Sequence, residues 1–116
     1  MEPTLFVDVK PDMKIAQEEI FGPVLSVIKF TDREDAIQIA NNCQYGLFGG
    51  VFSACSKTCH EVASRVELGH ITINSYFANC YDSPFGGFKM SGFGRALGPE
   101  DLDGYLETKT VVWDFN

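Results

Sequence analysis

The sequence predicts an α/β protein built on parallel strands, and three observations carry that prediction. Short β-prone runs alternate with helical stripes along residues 4–74. One of those runs, Val24-Leu25-Ser26-Val27-Ile28-Lys29-Phe30, is almost continuously apolar, as strands covered on both faces of a parallel sheet are. A glycine-rich stretch then follows the last strand of the series, and ligand sites of open α/β sheets lie beyond strand C-termini. The order strand, helix, strand, helix, strand implies βαβ crossovers with right-handed connections.

Each element has a local reason. Residues 4–9 are apolar and β-prone and end at Lys10-Pro11-Asp12, which reads as a strand and a turn. An apolar strand so close to Met1-Glu2-Pro3 has nothing before it to pair with, which suggests a cut through a larger domain. Gly22-Pro23 marks the turn into the apolar run 24–30. Thr31-Asp32-Arg33-Glu34 has the form of a capping box, and Ala36, Ile37 and Ala40 continue a helical stripe, so a helix is expected over 32–42. Glycines mixed with strand formers place a short strand at 50–53. Ser56 is the expected cap of a second helix, with Cys59, Val62, Ala63 and Val66 on one face, Glu61 paired to Arg65, and Gly69 as its stop. His70-Ile71-Thr72-Ile73-Asn74 alternates as a strand delivering Asn74 to a loop. Pro99 suits the first turn of a third helix over 99–106, and residues 108–115 close as a strand with Val111, Trp113 and Phe115 on one face.

Composition narrows the function classes. With 116 residues, 45% of them hydrophobic, the chain supports one small core. Nine Lys and Arg against sixteen Asp and Glu give a net charge of −7, with no basic run to neutralise phosphates, so no nucleic acid partner is expected. No stretch approaches the roughly twenty apolar residues that span a bilayer, so no membrane partner is expected and the protein reads as soluble and cytoplasmic. Cys43, Cys55, Cys59 and Cys80 match no small disulfide framework and are read as reduced thiols. Cys55, Cys59 and His60 lack metal-ligand spacing, and Cys59 falls on the apolar face of a helix, so no metal site is assigned.

The stretch Pro84-Phe85-Gly86-Gly87-Phe88-Lys89-Met90-Ser91-Gly92-Phe93-Gly94-Arg95 interleaves four glycines with three phenylalanines and two cations. On these residues alone it is either a crowded pocket wall made largely of main chain or a glycine-rich surface connection. The pattern P-F-G-G-x-K-x-S-G-x-G-R resembles the signature near the C-terminus of NAD(P)-dependent aldehyde dehydrogenases. Residues 15–24, with Glu18-Glu19-Ile20-Phe21-Gly22-Pro23-Val24, resemble that family's E-E-I-F-G-P-V motif, and Asn74 stands before Pro84 at a familiar spacing. The resemblance covers essentially the whole chain but only the last quarter of the family's length.

That resemblance implies a parallel-sheet βαβ segment of the aldehyde dehydrogenase catalytic domain over 1–107 and a terminal strand like the family's oligomerisation segment over 108–116. It implies oxidation of an aldehyde to a carboxylate with NAD or NADP as hydride acceptor, in a homo-oligomer. Such chemistry uses a cysteine thiolate to attack the carbonyl and a general base to activate water. In the family both come from upstream segments, so no catalytic residue is assigned here and the chain alone is expected to be inactive. Cys80 lacks the nucleophile's local context and is read as a structural thiol. Glu19 corresponds to the glutamate that accepts hydrogen bonds from the nicotinamide ribose hydroxyls, and Phe21 to the aromatic beside the nicotinamide ring; Glu18 is read as solvated. Phe85 corresponds to an aromatic of the substrate tunnel, with Phe77 and Asn79 in the variable part of the same wall. Lys89 and Arg95 are read as partners of backbone or carboxylates, and the spacing of Gly92, Gly94 and Gly98 is wrong for a dinucleotide fingerprint. Ala96 departs from the family's usual glutamate and removes a carboxylate from the loop's anchoring network. The rival reading is a non-catalytic interaction module that pairs with full-length subunits through residues 108–115.

Overall fold

The computed structural model describes residues 1–115 apart from 77, 79 and 80. Its elements are β1 (Thr4–Phe6), a single helical turn α1 (Lys14–Gln17), β2 (Val24–Ser26), α2 (Arg33–Asn41), β3 (Tyr45–Gly46), β4 (Phe48–Val51), α3 (Ser56–Arg65), β5 (His70–Ile73), β6 (Phe88–Lys89) and a 3₁₀ segment (Pro99–Tyr105). β1 pairs in parallel with β2, Thr4 opposite Val24 and Phe6 opposite Ser26. β4 pairs in parallel with β5, from Phe48 opposite His70 to Val51 opposite Ile73, with α3 between them in the chain. The α/β expectation with parallel pairing therefore holds. Among the described residues, however, these are separate two-stranded sheets, and a third pair, β3 with β6, is antiparallel. A strand of two residues has no periodicity to read, so β3 and β6 leave no trace in the sequence pattern.

The apolar run 24–30 contributes only three strand residues, and it is not covered on both faces: Leu25 is 63% exposed while Val24 and Ser26 are half-buried. An apolar run reports two apolar faces, whereas burial also requires a layer to lie on each.

α2 has a capping box displaced by one residue from the expected Thr31 and Glu34. Asp32 accepts the amide of Asp35 at 2.9 Å, and the Asp35 carboxylate accepts the amide and hydroxyl of Thr31 at 2.8 and 3.1 Å. Glu34 is thereby left to reach Arg65 of α3 at 2.7 Å, and Arg33 to reach Glu61 at 3.3 Å. These largely solvated pairs set how α2 lies on α3 more than they add stability. The hydrogen bond from Arg65 holds the Glu34 carboxyl below its ordinary value, so the pair's contribution is present above the unfolded-state value and fades as pH falls through the folded one.

α3 carries the expected stripe: Cys59 is 1% exposed, Val62, Ala63 and Val66 are half-buried, and Glu61 lies 3.7 Å from Arg65. Its cap is Cys55 instead of Ser56, because the Ser53 hydroxyl accepts the Cys55 amide at 3.1 Å and starts the turn a residue early. The helix closes at Val66, and Gly69 serves a different purpose from the expected stop. A Cβ on Gly69 would collide with the Gly86 carbonyl, and one on Gly87 would collide with Ser91. The glycine-rich loop thus lies backbone against backbone on the residue that leads into β5.

Two further expectations at the C-terminal end change. The third helix is a 3₁₀ segment entered through Gly98 at φ 69°. Residues 108–115 form no strand, since a strand requires a ladder partner and none is paired with them among the described residues. Trp113 and Phe115 nevertheless stack at 5.5 Å, on one side as their spacing predicted, with Trp113 76% exposed.

Val9, Ile37 and Cys59 are the buried hydrophobic residues among those described. The accessible surface is 9290 Å², against roughly 6,300 Å² for a compact monomer of this mass. The radius of gyration is 19.1 Å, against roughly 13 Å for a compact chain of this length. Much apolar surface is therefore exposed. Among the described residues no helix is long and apolar enough to cross a membrane.

The close approach at Gly69 yields a prediction. Gly69→Ala should destabilise the chain by about 1–3 kcal/mol, because the collision is with backbone that cannot rotate away. Gly104→Ala, with open space around its Cβ, should leave the urea midpoint nearly unchanged.

Candidate functional site

A cleft of about 470 Å³ lies where α1, β3, β4 and the glycine-rich loop meet, with Gln17, Glu19, Cys43, Tyr45, Phe48 and Ser91 in its wall. Its acidic side is set by the chain just after α1. Lys14 pairs with Glu18 at 3.5 Å, while among the described residues no ion pair engages Glu19. Both carboxylates are exposed and line the cleft, and they differ in that Glu18 is ion-paired within its own helical turn.

Phe21, two residues on, does not line the cleft. It is 91% exposed at φ 52°, a left-handed conformation that a bulky residue adopts only under constraint. The constraint is the following turn, where Val24 donates to Gly22 at 2.7 Å and Thr4 of β1 donates to Pro23 at 2.9 Å.

Phe85 sits half-buried in an aromatic series. Its ring centroid lies 5.6 Å from that of His70, which stacks on Phe48 at 5.4 Å, and Phe48 meets Tyr76 edge-on at 6.5 Å. Phe48 also lines the cleft, so Phe85 is joined to the site through His70. The neck of the loop is closed by reciprocal backbone bonds between Phe85 and Ala96 at 2.7 and 2.8 Å, a closure that uses the main chain of Ala96 and needs no side chain there. Phe77, Asn79 and Cys80 lie outside the described residues.

The cations of the loop are committed to main chain and carboxylate. Lys89 donates to the carbonyls of Asn41 and Cys43 at 2.9 and 3.1 Å and pairs with Glu67 at 2.7 Å. Arg95 donates to the carbonyls of Gly87 and Gly94 at 3.2 and 2.6 Å and lies over the Phe88 ring at 5.3 Å. Asn74, at φ 52°, accepts the Ser53 amide and donates to the Ser53 carbonyl, fastening the end of β5 beside β4. Sequence reasoning missed His70, Phe48 and Gln17. The first two face each other only through the register of β4 on β5, which their separate runs do not reveal.

The chain is thus defined as an α/β protein whose cleft sets a carboxylate beside a glycine-built, aromatic-backed loop. A family model described as "Aldehyde dehydrogenase family" matches residues 1–111. The chain belongs to the aldehyde dehydrogenase family. It is 48% identical over 111 residues to an aldehyde dehydrogenase of Emericella nidulans, covering 96% of this chain and 22% of that protein. It is 47% identical over 112 residues to aldehyde dehydrogenase family 2 member C4 of Arabidopsis thaliana, covering 97% and 22%. Its fold matches apo betaine aldehyde dehydrogenase of Staphylococcus aureus with a TM-score of 0.90 at 44% identity, over 93% of this chain and 22% of that one. It matches the P. syringae indole-3-acetaldehyde dehydrogenase in complex with NAD+ and IAA with a TM-score of 0.90 at 47% identity, over the same shares. The chain therefore spans about 22% of the length of these relatives.

The thiols differ in accessibility and environment. Cys59 is buried, its Sγ 3.6 Å from the Ser53 carbonyl, and Cys55 is exposed at the start of α3. A hydrogen bond from the Thr58 side chain, aided by the amides of Thr58 and Lys57, holds the Cys55 thiol below its ordinary value and favours the thiolate. Iodoacetamide should therefore label Cys55 ahead of Cys59 at neutral pH. Thr58→Val should shift the pH midpoint of Cys55 alkylation upward, as followed by peptide mass spectrometry.

Proposed function

We propose that this chain forms the cofactor-contacting turn and the substrate-facing loop of an NAD-dependent aldehyde dehydrogenase, which oxidises an aldehyde to a carboxylic acid. Residues 1–107 are read as part of its catalytic domain, with βαβ character, and 108–116 as its oligomerisation-type strand. The observation that carries the reading is the pair formed by Glu19 and Phe21. A carboxylate exposed at a cleft, two residues from an aromatic held outward in strained backbone, suits a ligand presenting vicinal hydroxyls and a flat ring.

NAD, when bound, supplies the hydride acceptor. The Glu19 carboxylate accepts hydrogen bonds from two ribose hydroxyls through its two oxygens, and Phe21 offers its exposed face to the nicotinamide. NAD is preferred over NADP because the similar Staphylococcus aureus betaine aldehyde dehydrogenase has been solved in complex with NAD+. Phe85, with Phe77 and Asn79, holds the apolar part of the aldehyde and excludes water from the reacting carbonyl. The nucleophilic thiolate and the general base come from further sequence, and the enzyme is read as cytoplasmic. Replacing Glu19 with Gln in the complete enzyme keeps the shape but removes the charge, so NAD binding should weaken by about 1–3 kcal/mol. Calorimetric titration with NAD measures this directly, and an unchanged affinity would return Glu19 to an ordinary surface carboxylate.

A second reading, an interaction module that pairs with full-length subunits, draws on the exposed Val111, Trp113 and Phe115. It shares with the first the expectation that residues 108–115 pair with another chain, through aromatic burial and unpaired backbone groups. Sedimentation velocity of the chain should show association that a version ending at Glu107 loses. Equal monomer behaviour in both would remove the oligomerising role.

A further inference from the structure

α2 ends in a turn whose carbonyls are taken by donors from two distant segments. The Asn42 amide bonds back to Gln38 and Ile39, which leaves the carbonyls of Asn41, Asn42 and Cys43 without helical donors. Gln17, from α1, donates to the Asn42 carbonyl at 2.7 Å and to the Pro11 carbonyl at 2.6 Å, using both hydrogens of one amide. Lys89, from the glycine-rich loop, takes the carbonyls on either side, those of Asn41 and Cys43, and spends its third hydrogen on Glu67. Asn41 completes the junction, donating to the Arg65 carbonyl at 2.9 Å and accepting the Glu67 amide at 2.8 Å. Three consecutive carbonyls therefore hold both walls of the cleft, the Gln17 to Glu19 side and the side of the glycine-rich loop that Ser91 lines.

We infer that Gln17 and Lys89 are positioning residues that couple the two walls: each fixes the α2 terminus in the one arrangement the other requires. Naming one wall cofactor-facing and the other substrate-facing rests on the function proposed above, but the coupling itself does not. Lys89 is held at φ 54° in β6, opposite Tyr45, and Met90 donates to the Gln44 carbonyl at 2.9 Å. The Ser91 hydroxyl accepts the Gly46 amide at 3.0 Å. A shift of the α2 end is thereby passed to the loop through main-chain bonds on residues 44–46. On the other side, a shift is passed through Gln17 to the turn that presents Glu19.

Amide hydrogen exchange on the full chain tests this. The probes are the Ala16 and Glu18 amides, bonded to the Met13 and Lys14 carbonyls, and the Met90 amide, bonded to Gln44. Lys89→Met should accelerate exchange at Ala16 and Glu18 about two- to tenfold, and Gln17→Leu should do the same at Met90. Lys89→Arg, which still donates to the carbonyls, should restore slow exchange at Ala16 and Glu18. Continued protection of the Val66 and Asn74 amides separates this loosening from unfolding. Should Lys89→Met lose that protection, Gln17→Leu decides alone. Coupling is reciprocal, so an unchanged distant probe in either folded variant overturns the proposal. Glu19→Gln should leave all these rates unaltered, so a failure of the cofactor reading and a failure of the coupling are read separately.

Discussion

The architecture depends on one close approach of backbone to backbone. Gly69 leads into β5 and Gly86 opens the glycine-rich loop, and the two come so near that neither a side chain nor a water layer fits between them. This contact seats the loop on the strand pair. Once it is seated, Phe85 reaches His70, Lys89 reaches the end of α2, and Ser91 reaches Gly46. A loop carrying four glycines would otherwise lose much conformational entropy on ordering. Here that loss is offset in part because Gly86 and Gly87 permit close contacts that larger residues would block.

The polar side chains of the site are used mostly on carbonyls. Lys89, Arg95, Gln17 and Asn74 all donate to main chain, so the backbone around the cleft is held by side-chain donors. Side chains bound to main chain in this way are fixed in place by the fold and carry less conformational freedom than solvated ones. Glu19 differs from these four side chains, because it lines the cleft without an ion-pair partner among the described residues.

The extended shape and the exposed apolar faces belong to the same logic. Leu25, Phe30, Phe52 and Trp113 lie on surfaces that a compact monomer of this size would cover. Burial at roughly 25 cal/mol per Å² makes such surface a strong driver of association with further polypeptide. The chain spans about 22% of the length of the family relatives it matches.

Periodicity and local chemistry were legible without coordinates. The helical stripes of α2 and α3, the Glu61 and Arg65 pair, the parallel α/β character and the two family motifs all depend on neighbours within a few residues, and they stand in the sequence. Lys89 and Arg95 were also readable as partners of backbone or carboxylate. Tertiary structure alone decided the rest. Glu34, expected to close the α2 cap, is instead paired with Arg65, a partner thirty-one positions away. Gly69 proved to be a contact point instead of a helix stop because Gly86 lies against it. His70 meets Phe48 through strand register and Phe85 through the seating of the loop, and residues 108–115 gained no ladder partner among the described residues. In each of these cases the determining group is distant in sequence, and local pattern carries no information about which distant group arrives.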